Sequence, residues 1–334
     1  MVLHKTTTLK SMKTDILDQL KPYFERLDRH ISSHFASHIP FINEISGHIL
    51  FAGGKRVRPL LTVFSAKLCG RDTDEAYDLA LVPEYLHAAS LLHDDVVDGG
   101  KLRRGKPPAY TIWGNKATVL AGDFLYARAI ELATRFNDVR IARTTAETVA
   151  LMSEGEILQL LHSKEPGFDE KTYMDVIYRK TAALISMSCR IGALFAGADD
   201  ARVKALADYG LCLGQAFQMI DDLLDYTADS KEFGKAIGAD LAEGKLTLPL
   251  VHGLGAANPK EKERLLSILK KGEHSTEELA WVKELLEATG AFRYTKNKAE
   301  GLIRTGCDGL DIFGPSETTG ILKRLAMFVI ERKK

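Results

Sequence analysis

The chain has 334 residues, 45% of them apolar, so a sizeable core can form, and the length fits one large domain or two ordinary ones. Lys and Arg together number 45 and Asp and Glu 45, a neutral balance that argues against a general nucleic-acid binder or a polybasic membrane binder. The four cysteines, Cys69, Cys189, Cys212 and Cys307, are far apart and form no CxxC pair, which disfavours a disulfide framework or thiolate metal centre and fits reduced thiols in the cytoplasm. From Met1 to Lys13 the chain is polar and Thr-rich, without the apolar block of a signal peptide. No apolar run reaches the roughly 18 residues of a membrane span.

In chain order, apolar residues recur at helical intervals over Leu79 to Val97, Ala117 to Phe136, Thr144 to Leu161, Lys171 to Phe195 and Ala201 to Leu224. Breaks fall at Phe51-Ala52-Gly53-Gly54, Asp98 to Pro108, Lys164 to Gly167, Ala196 to Asp199 and Thr227 to Gly244. Alternating strand patterns are scarce, and there is no internal repeat. The pattern predicts an all-α single domain of about a dozen helices, with functional loops after the ends of long helices.

Two of those helix ends are acidic. Asp94-Asp95-Val96-Val97-Asp98 closes the first long helix, and Asp221-Asp222-Leu223-Leu224-Asp225 closes the last. Residues i and i+4 share a helix face, so Asp94 and Asp98 point together, as do Asp221 and Asp225. Like charges at this spacing repel, and a helix C-terminus is the worse end for anions. A sequence that breaks a local rule twice in the same way points to function. Clustered carboxylates are hard oxygen ligands suited to Mg²⁺, which takes one or two protein carboxylates and completes its shell with water and phosphate. The bland alternative is a pair of solvated acidic helix ends.

Basic motifs accompany the acids. Gly53-Gly54-Lys55-Arg56-Val57-Arg58-Pro59 places three cations within four residues behind two glycines that let backbone approach a ligand closely. Lys101-Leu102-Arg103-Arg104-Gly105-Lys106 follows Asp98 after two residues, and its adjacent arginines diverge toward different anions. Lys180-Thr181, Gln218, Lys235 and Lys245 are further donors, and His87 lies seven residues before Asp94 on almost the same helix face. Taken singly, each of these reads as a surface or structural residue.

Together these residues resemble the trans-isoprenyl diphosphate synthases, or polyprenyl synthetases, and most of all the long-chain, octaprenyl-type bacterial members. The similarity runs from about residue 40 to the end, on Gly53 to Pro59, His87 to Pro107 and Asp221 to Pro249, the last with Gly234-Lys235 and Gly244-Lys245-Leu246-Thr247-Leu248-Pro249. Ala236 departs from the pattern, in which proline often follows Gly-Lys. The resemblance implies the all-α isoprenoid synthase fold around a central cavity. It divides the chain into an N-terminal helical segment, 1–40, and a polyprenyl synthase domain, 41–334. It also implies a homodimer with peripheral membrane contact for product release.

It further implies Mg²⁺, three ions with substrate bound, held by Asp94, Asp95, Asp98, Asp221, Asp222 and Asp225. Isopentenyl diphosphate would be held by Lys55, Arg58, His87 and Arg104. An allylic diphosphate such as farnesyl diphosphate would be held by Arg103, Lys180, Thr181, Gln218, Lys235 and Lys245. In that scheme Asp94, Asp98, Asp221, Arg103, Lys180 and Lys245 carry catalysis by neutralising charge as the allylic carbon–oxygen bond breaks. Leu91, Leu92, Phe217, Met219 and Ile220 are expected to wall a dry cavity, with the Phe217 face available to the allylic cation.

Ala89 and Ser90 sit about one helical turn before Asp94, and a turn rises about 5.4 Å, close to the reach of an isoprene unit. Small residues there imply passage to long chains, with a floor deeper down among Phe124, Leu132 and Phe136. The alternatives are a geranylgeranyl or farnesyl diphosphate synthase, a terpene cyclase, a non-catalytic regulatory subunit, and an acidic calcium-binding scaffold. Lys55 and Arg58 disfavour the cyclase, intact aspartates disfavour the regulatory subunit, and the basic motifs disfavour the scaffold.

Overall fold

The computed structural model describes residues 2–34, 37–53, 56–100, 106–162, 169–227, 239–242, 244–271 and 274–332. Every extended element among them is a helix. The chain runs α1 (Val2–His34), α2 (Pro40–Leu50), α3 (Val57–Leu68), α4 (Asp74–Leu79), α5 (Leu81–Asp98), α6 (Ala109–Thr134), α7 (Val139–His162), α8 (Glu170–Ile177) and, after a π-helical turn at Tyr178–Ala182, α9 (Ala183–Phe195). There follow α10 (Asp200–Thr227), the single turn α11 (Ala239–Ala242), α12 (Leu248–Ala256), α13 (Pro259–Leu269), α14 (Thr276–Ala288), α15 (Ala291–Gly309) and α16 (Glu317–Glu331). None of the described helices is long and apolar enough to cross a membrane.

The chain packs as two compact units, one of Met1–Val149, Leu184–Gly210 and Gly309–Phe328, the other of Ala150–Ala183, Leu211–Asp308 and Val329–Lys334. In the first, α5 is buried along most of its length, from Leu81 through Leu86 and again at Ala88, Ala89 and Leu92. Pro83 is tolerated because it lies in the first turn, where its missing N–H has no helical partner. Gly99, at φ 63°, ends the helix in the left-handed conformation that glycine adopts without strain. That stop falls directly after Asp98 and leaves Asp98 exposed, Asp94 half-buried and Asp95 buried. Against α5 lies α6, close enough that a Cβ on Gly122 would sit 2.3 Å from the His93 ring. His93 Nε2 is 3.0 Å from the Val119 carbonyl.

The second unit has its own core, in which Leu241, Leu250, Leu265, Val282, Leu286 and Ala291 pack around Tyr226. The sequence writes the helix starts here plainly. Asn258 caps α13 and Glu261 returns the bond, with Pro259 just inside the helix; Ser275 and Glu278 do the same for α14. Each such reciprocal box satisfies two donors that a helix start otherwise leaves open.

Candidate active site

The Gly53-to-Pro59 motif does not present its three cations alike. Arg56 turns inward, its side chain only 8% exposed, forming an ion pair with Glu84 of α5 and donating to the Leu50 carbonyl at 2.6 Å. Asp28 lies 3.6 Å from its Nε. The expectation of a three-cation anion site is therefore corrected: Arg56 is a brace. Its φ of 45° is the single positive value among the described non-glycine residues, and it starts α3 with Arg58 in the first turn. Arg58 and His87 are half-buried. Lys55, Arg103, Arg104 and Lys235 lie outside the described residues.

In the second unit, a cavity of about 160 Å³ gathers six of the residues singled out in the sequence: Lys180, Thr181, Gln218, Asp221, Asp222 and Lys245. The last turn of α7 and α8 add Gln159, His162 and Tyr173, and the α11 region adds Asp240, none of which the sequence reading named, together with Thr247 of the Gly244-to-Pro249 motif. Lys245 reaches this wall through a Schellman turn. The Lys245 N–H bonds the Asp240 carbonyl at 2.8 Å and the Gly244 N–H bonds the Leu241 carbonyl at 3.0 Å, with Gly244 at φ 73°.

Lys180 and Thr181 stand on the π turn, a local widening that recurs at functional sites. Two glycines hold it. A Cβ on Gly155 of α7 would lie 2.7 Å from the Lys180 amide nitrogen, and one on Gly214 of α10 would lie 2.6 Å from the Ala182 Cα. Both targets are backbone, which cannot swing aside. Gly214→Ala is expected to cost about 1–3 kcal/mol in denaturant unfolding, the usual range for overpacking, and to lower turnover by displacing Thr181. Wild-type stability and turnover would show that α10 can withdraw freely.

From the π turn a hydrogen-bonded chain crosses the site. Thr181 Oγ1 donates to Gln218 Oε1 at 2.9 Å, Gln218 Nε2 donates to Asp222 at 2.8 Å, and the Tyr173 hydroxyl donates to the other Asp222 oxygen at 2.6 Å. Burial, then the neighbouring Asp240 carboxylate, push Asp222 well above the usual carboxylate range, although Tyr173 and Gln218 oppose the shift. Burial likewise pushes the Tyr173 phenol up, so it stays a donor. Asp222 thus spends both oxygens on protein and orders the wall. Asp225 is also buried and accepts the Asp240 N–H at 3.2 Å. Of the three acids in this motif, Asp221 is the open one, its side chain 51% exposed.

Asp221 has a partner that no local sequence signal announces. Arg332 donates to it at 3.0 Å and to the Phe217 carbonyl at 2.9 Å, and its guanidinium lies 4.1 Å over the Phe217 ring. Burial pushes Arg332 down from its ordinary value, with Asp221 opposing the shift. One face of the Phe217 ring is thus covered by this guanidinium. Two more expected wall residues, Met219 and Ile220, are at most 2% exposed and belong to the core, as does Leu92. Ala89 is also fully buried, whereas Ser90 is half-exposed and donates to the His87 carbonyl at 2.9 Å. Leu132 is buried, and Phe136 packs edge-on against Phe195 at 5.5 Å.

Open carboxylates beside lysines, amides and hydroxyls, on an all-helical frame, define a class of protein that holds a polyanionic substrate with the help of hard divalent ions. Residues 39–286 match the polyprenyl synthetase family, and the chain belongs to it. It is a prenyltransferase that elongates trans-prenyl diphosphates, joining an allylic diphosphate to isopentenyl diphosphate. It is 36% identical to an octaprenyl diphosphate synthase of Haemophilus influenzae, over 96% of this chain and 98% of that one. It is 35% identical to a short chain isoprenyl diphosphate synthase of Methanothermobacter thermautotrophicus, over 96% and 99%. Its helices superpose on the crystal structure of a polyprenyl synthase from Caulobacter crescentus complexed with calcium and isoprenyl diphosphate, with TM-score 0.89, 37% identity and coverage of 96% and 97%. The isoprenoid synthase fold expected from the sequence is thereby shown.

Proposed function

We propose that this chain is a long-chain, octaprenyl-type synthase whose allylic diphosphate is received in the cavity walled by Lys180, Thr181, Gln218, Asp221 and Lys245. The gathering of those residues, spread over some 65 positions of sequence, into one cavity is the observation that carries the reading. Lys180 now pairs with Glu156 at 2.7 Å, and a diphosphate oxygen would compete with that carboxylate for the ammonium. Lys245 supplies a second point charge, while Thr181 and Gln218 fix orientation. Lys55, Arg58, His87 and Arg104 are assigned to isopentenyl diphosphate, and Arg103 and Lys235 to the allylic substrate.

The donor set fits Mg²⁺ because it is all oxygen, and because the acid left open, Asp221, stands beside Asp240 in the same cavity. Asp94 and Asp98 of the first motif and Asp221 of the second would hold the ions, three with substrate bound, and Asp95, Asp222 and Asp225 would order them. When bound, Mg²⁺ supplies neutralisation of the charge that builds on the departing diphosphate.

Chain length is assigned through Ser90, the open small residue one turn before Asp94, rather than through buried Ala89. Purified protein given Mg²⁺, labelled isopentenyl diphosphate and a series of primers is expected to yield octaprenyl-length product, and Ser90→Phe to yield shorter product at comparable turnover. Wild-type product that stops at geranylgeranyl length would favour the short-chain reading, which the similarity to the Methanothermobacter protein keeps in view. Unchanged product length in Ser90→Phe would remove the ruler. Val119 and Leu120 are exposed apolar residues on α6 just after the backbone break at Gly114, and Ile112 is another just before it, which supports a homodimer across that helix. Ile157, Leu160 and Leu161, exposed at the end of α7, are where we place peripheral membrane contact as the insoluble product leaves.

A further inference from the structure

We propose that His30, His34 and Asp78 form a second metal site, for a borderline transition ion of the Zn²⁺ class, that staples α1 to α4. The two histidines are four apart near the end of α1, so their rings share a face. The rings are parallel within 3°, with centroids 5.9 Å apart. Asp78 reaches them from α4, its Oδ1 lying 2.6 Å from His30 Nδ1 and 3.3 Å from His34 Nε2. One ligand atom from each of the three residues lies within 4.8 Å of the others.

The polar groups around the cluster suit a cation inside it. His34 Nδ1 sits 3.1 Å from the His30 carbonyl and 3.0 Å from the Ser33 hydroxyl, which can either accept from it or donate to it. With the hydrogen on Nδ1, the Nε2 lone pair faces the Asp78 carboxylate at 3.3 Å, the arrangement in which a metal ion fits between them. His30 faces two carboxylates. Its Nδ1 faces Asp78, its Nε2 faces Asp74 at 3.4 Å, and a neutral ring has one N–H to give. Arg26 already holds Asp74 at 2.6 Å, which leaves Asp78 as the carboxylate available to a new ion.

Two imidazoles and one carboxylate suit Zn²⁺ and its neighbours, with water in the fourth position, whereas Mg²⁺ prefers oxygen throughout. Tetrahedral ligands about 2.0–2.1 Å from zinc lie about 3.3 Å from one another. The pair of His34 and Asp78 already has that spacing, and metal binding requires His30 Nδ1 to open from 2.6 Å to about 3.3 Å from Asp78. With metal on Nε2, a bond from His34 Nδ1–H to the His30 carbonyl would be the outer contact that fixes which nitrogen of a metal-binding histidine points inward. The site shares no residue with either aspartate motif, and both histidines precede residue 39, where the family match begins. Bound metal would tie the N-terminal helix to the body of its own unit.

The test uses tag-free, full-length protein stripped with EDTA and titrated with micromolar Zn²⁺ without Mg²⁺ or diphosphate. Because the aspartate motifs also take divalent ions, the readout is the difference between wild type and His34→Gln, with Asp78→Asn as a second variant and circular dichroism to verify the fold. Wild type is expected to bind one more equivalent of Zn²⁺ than either variant and to gain about 3 °C or more in Tm, a gain the variants lack. Co²⁺ in its place should give the intense visible bands of a tetrahedral site in wild type alone. Equal zinc stoichiometry in wild type and His34→Gln, or a Co²⁺ spectrum that both proteins share, would overturn the site and leave protonation as the source of the missing positive charge.

Discussion

Asp221→Asn is expected to lower turnover by about 10³-fold while the protein remains folded, because it would remove a ligand of the divalent cation that neutralises charge on the departing diphosphate. Asn keeps an oxygen to accept from Arg332, which now donates to Asp221 at 3.0 Å, and gives up the anionic oxygen that a divalent ion needs. Asp221→Ala is the more damaging change. It leaves a guanidinium whose side chain is 5% exposed without its carboxylate, with the Phe217 carbonyl still accepting from it, and loss of this half-exposed pair costs about 1–3 kcal/mol. The two variants should therefore separate: both inactive, and Ala alone markedly unstable in urea. Arg332→Gln is expected to leave turnover measurable and to change the Mg²⁺ concentration at half-maximal rate, since Arg332 and the ion compete for the same carboxylate. Mg²⁺ titrations of initial rate are the measurement. Near-normal turnover in Asp221→Asn would remove this acid from the metal set, and Asp94→Ala applies the same test to the first motif.

How far the sequence discloses this arrangement depends on whether a feature is written locally. The acidic helix ends are, since four-residue spacing and charge at the wrong end of a helix can be read without a structure. The long helices follow their periodicity closely: the segment expected over Leu79 to Val97 is α5 at Leu81–Asp98, and that over Ala201 to Leu224 is α10 at Asp200–Thr227. The capping boxes at Asn258 and Ser275 are equally local, and they were there to be found. The π turn is not. Tyr178-Arg179-Lys180-Thr181-Ala182 has ordinary helix formers, and its widening accompanies close packing of Gly155 and Gly214, distant in sequence. Arg332 reaches Asp221 from 111 positions away, beyond any periodicity. The acids of one motif also look interchangeable in sequence, yet burial gives Asp222 to Tyr173 and Gln218 and leaves Asp221 open.

Arg56 shows the same limit in the basic motif, and its replacement should have the largest effect on stability. Among Lys55, Arg56 and Arg58 the sequence offers no reason to single one out. The structure places the Arg56 backbone in the left-handed region, at φ 45° and ψ 31°, which costs a non-glycine residue about 1–2 kcal/mol. That strain persists because the side chain is fixed from two sides, by Glu84 and by the Leu50 carbonyl. Arg56→Ala removes both contacts and leaves Glu84, 11% exposed in its side chain, as a buried carboxylate without its cation. Unfolding in urea should show a loss of about 3–5 kcal/mol. Arg56→Lys should recover only part of it, because one ammonium does not reproduce a planar fork that serves two acceptors. Arg56→Ala combined with Glu84→Leu should be less unstable than the sum of the single changes, as expected for residues in contact. Because the brace sets the start of α3, the KM for isopentenyl diphosphate should rise in Arg56→Ala through displacement of Arg58. A variant with raised KM and wild-type stability would instead make Arg56 a direct ligand of the diphosphate.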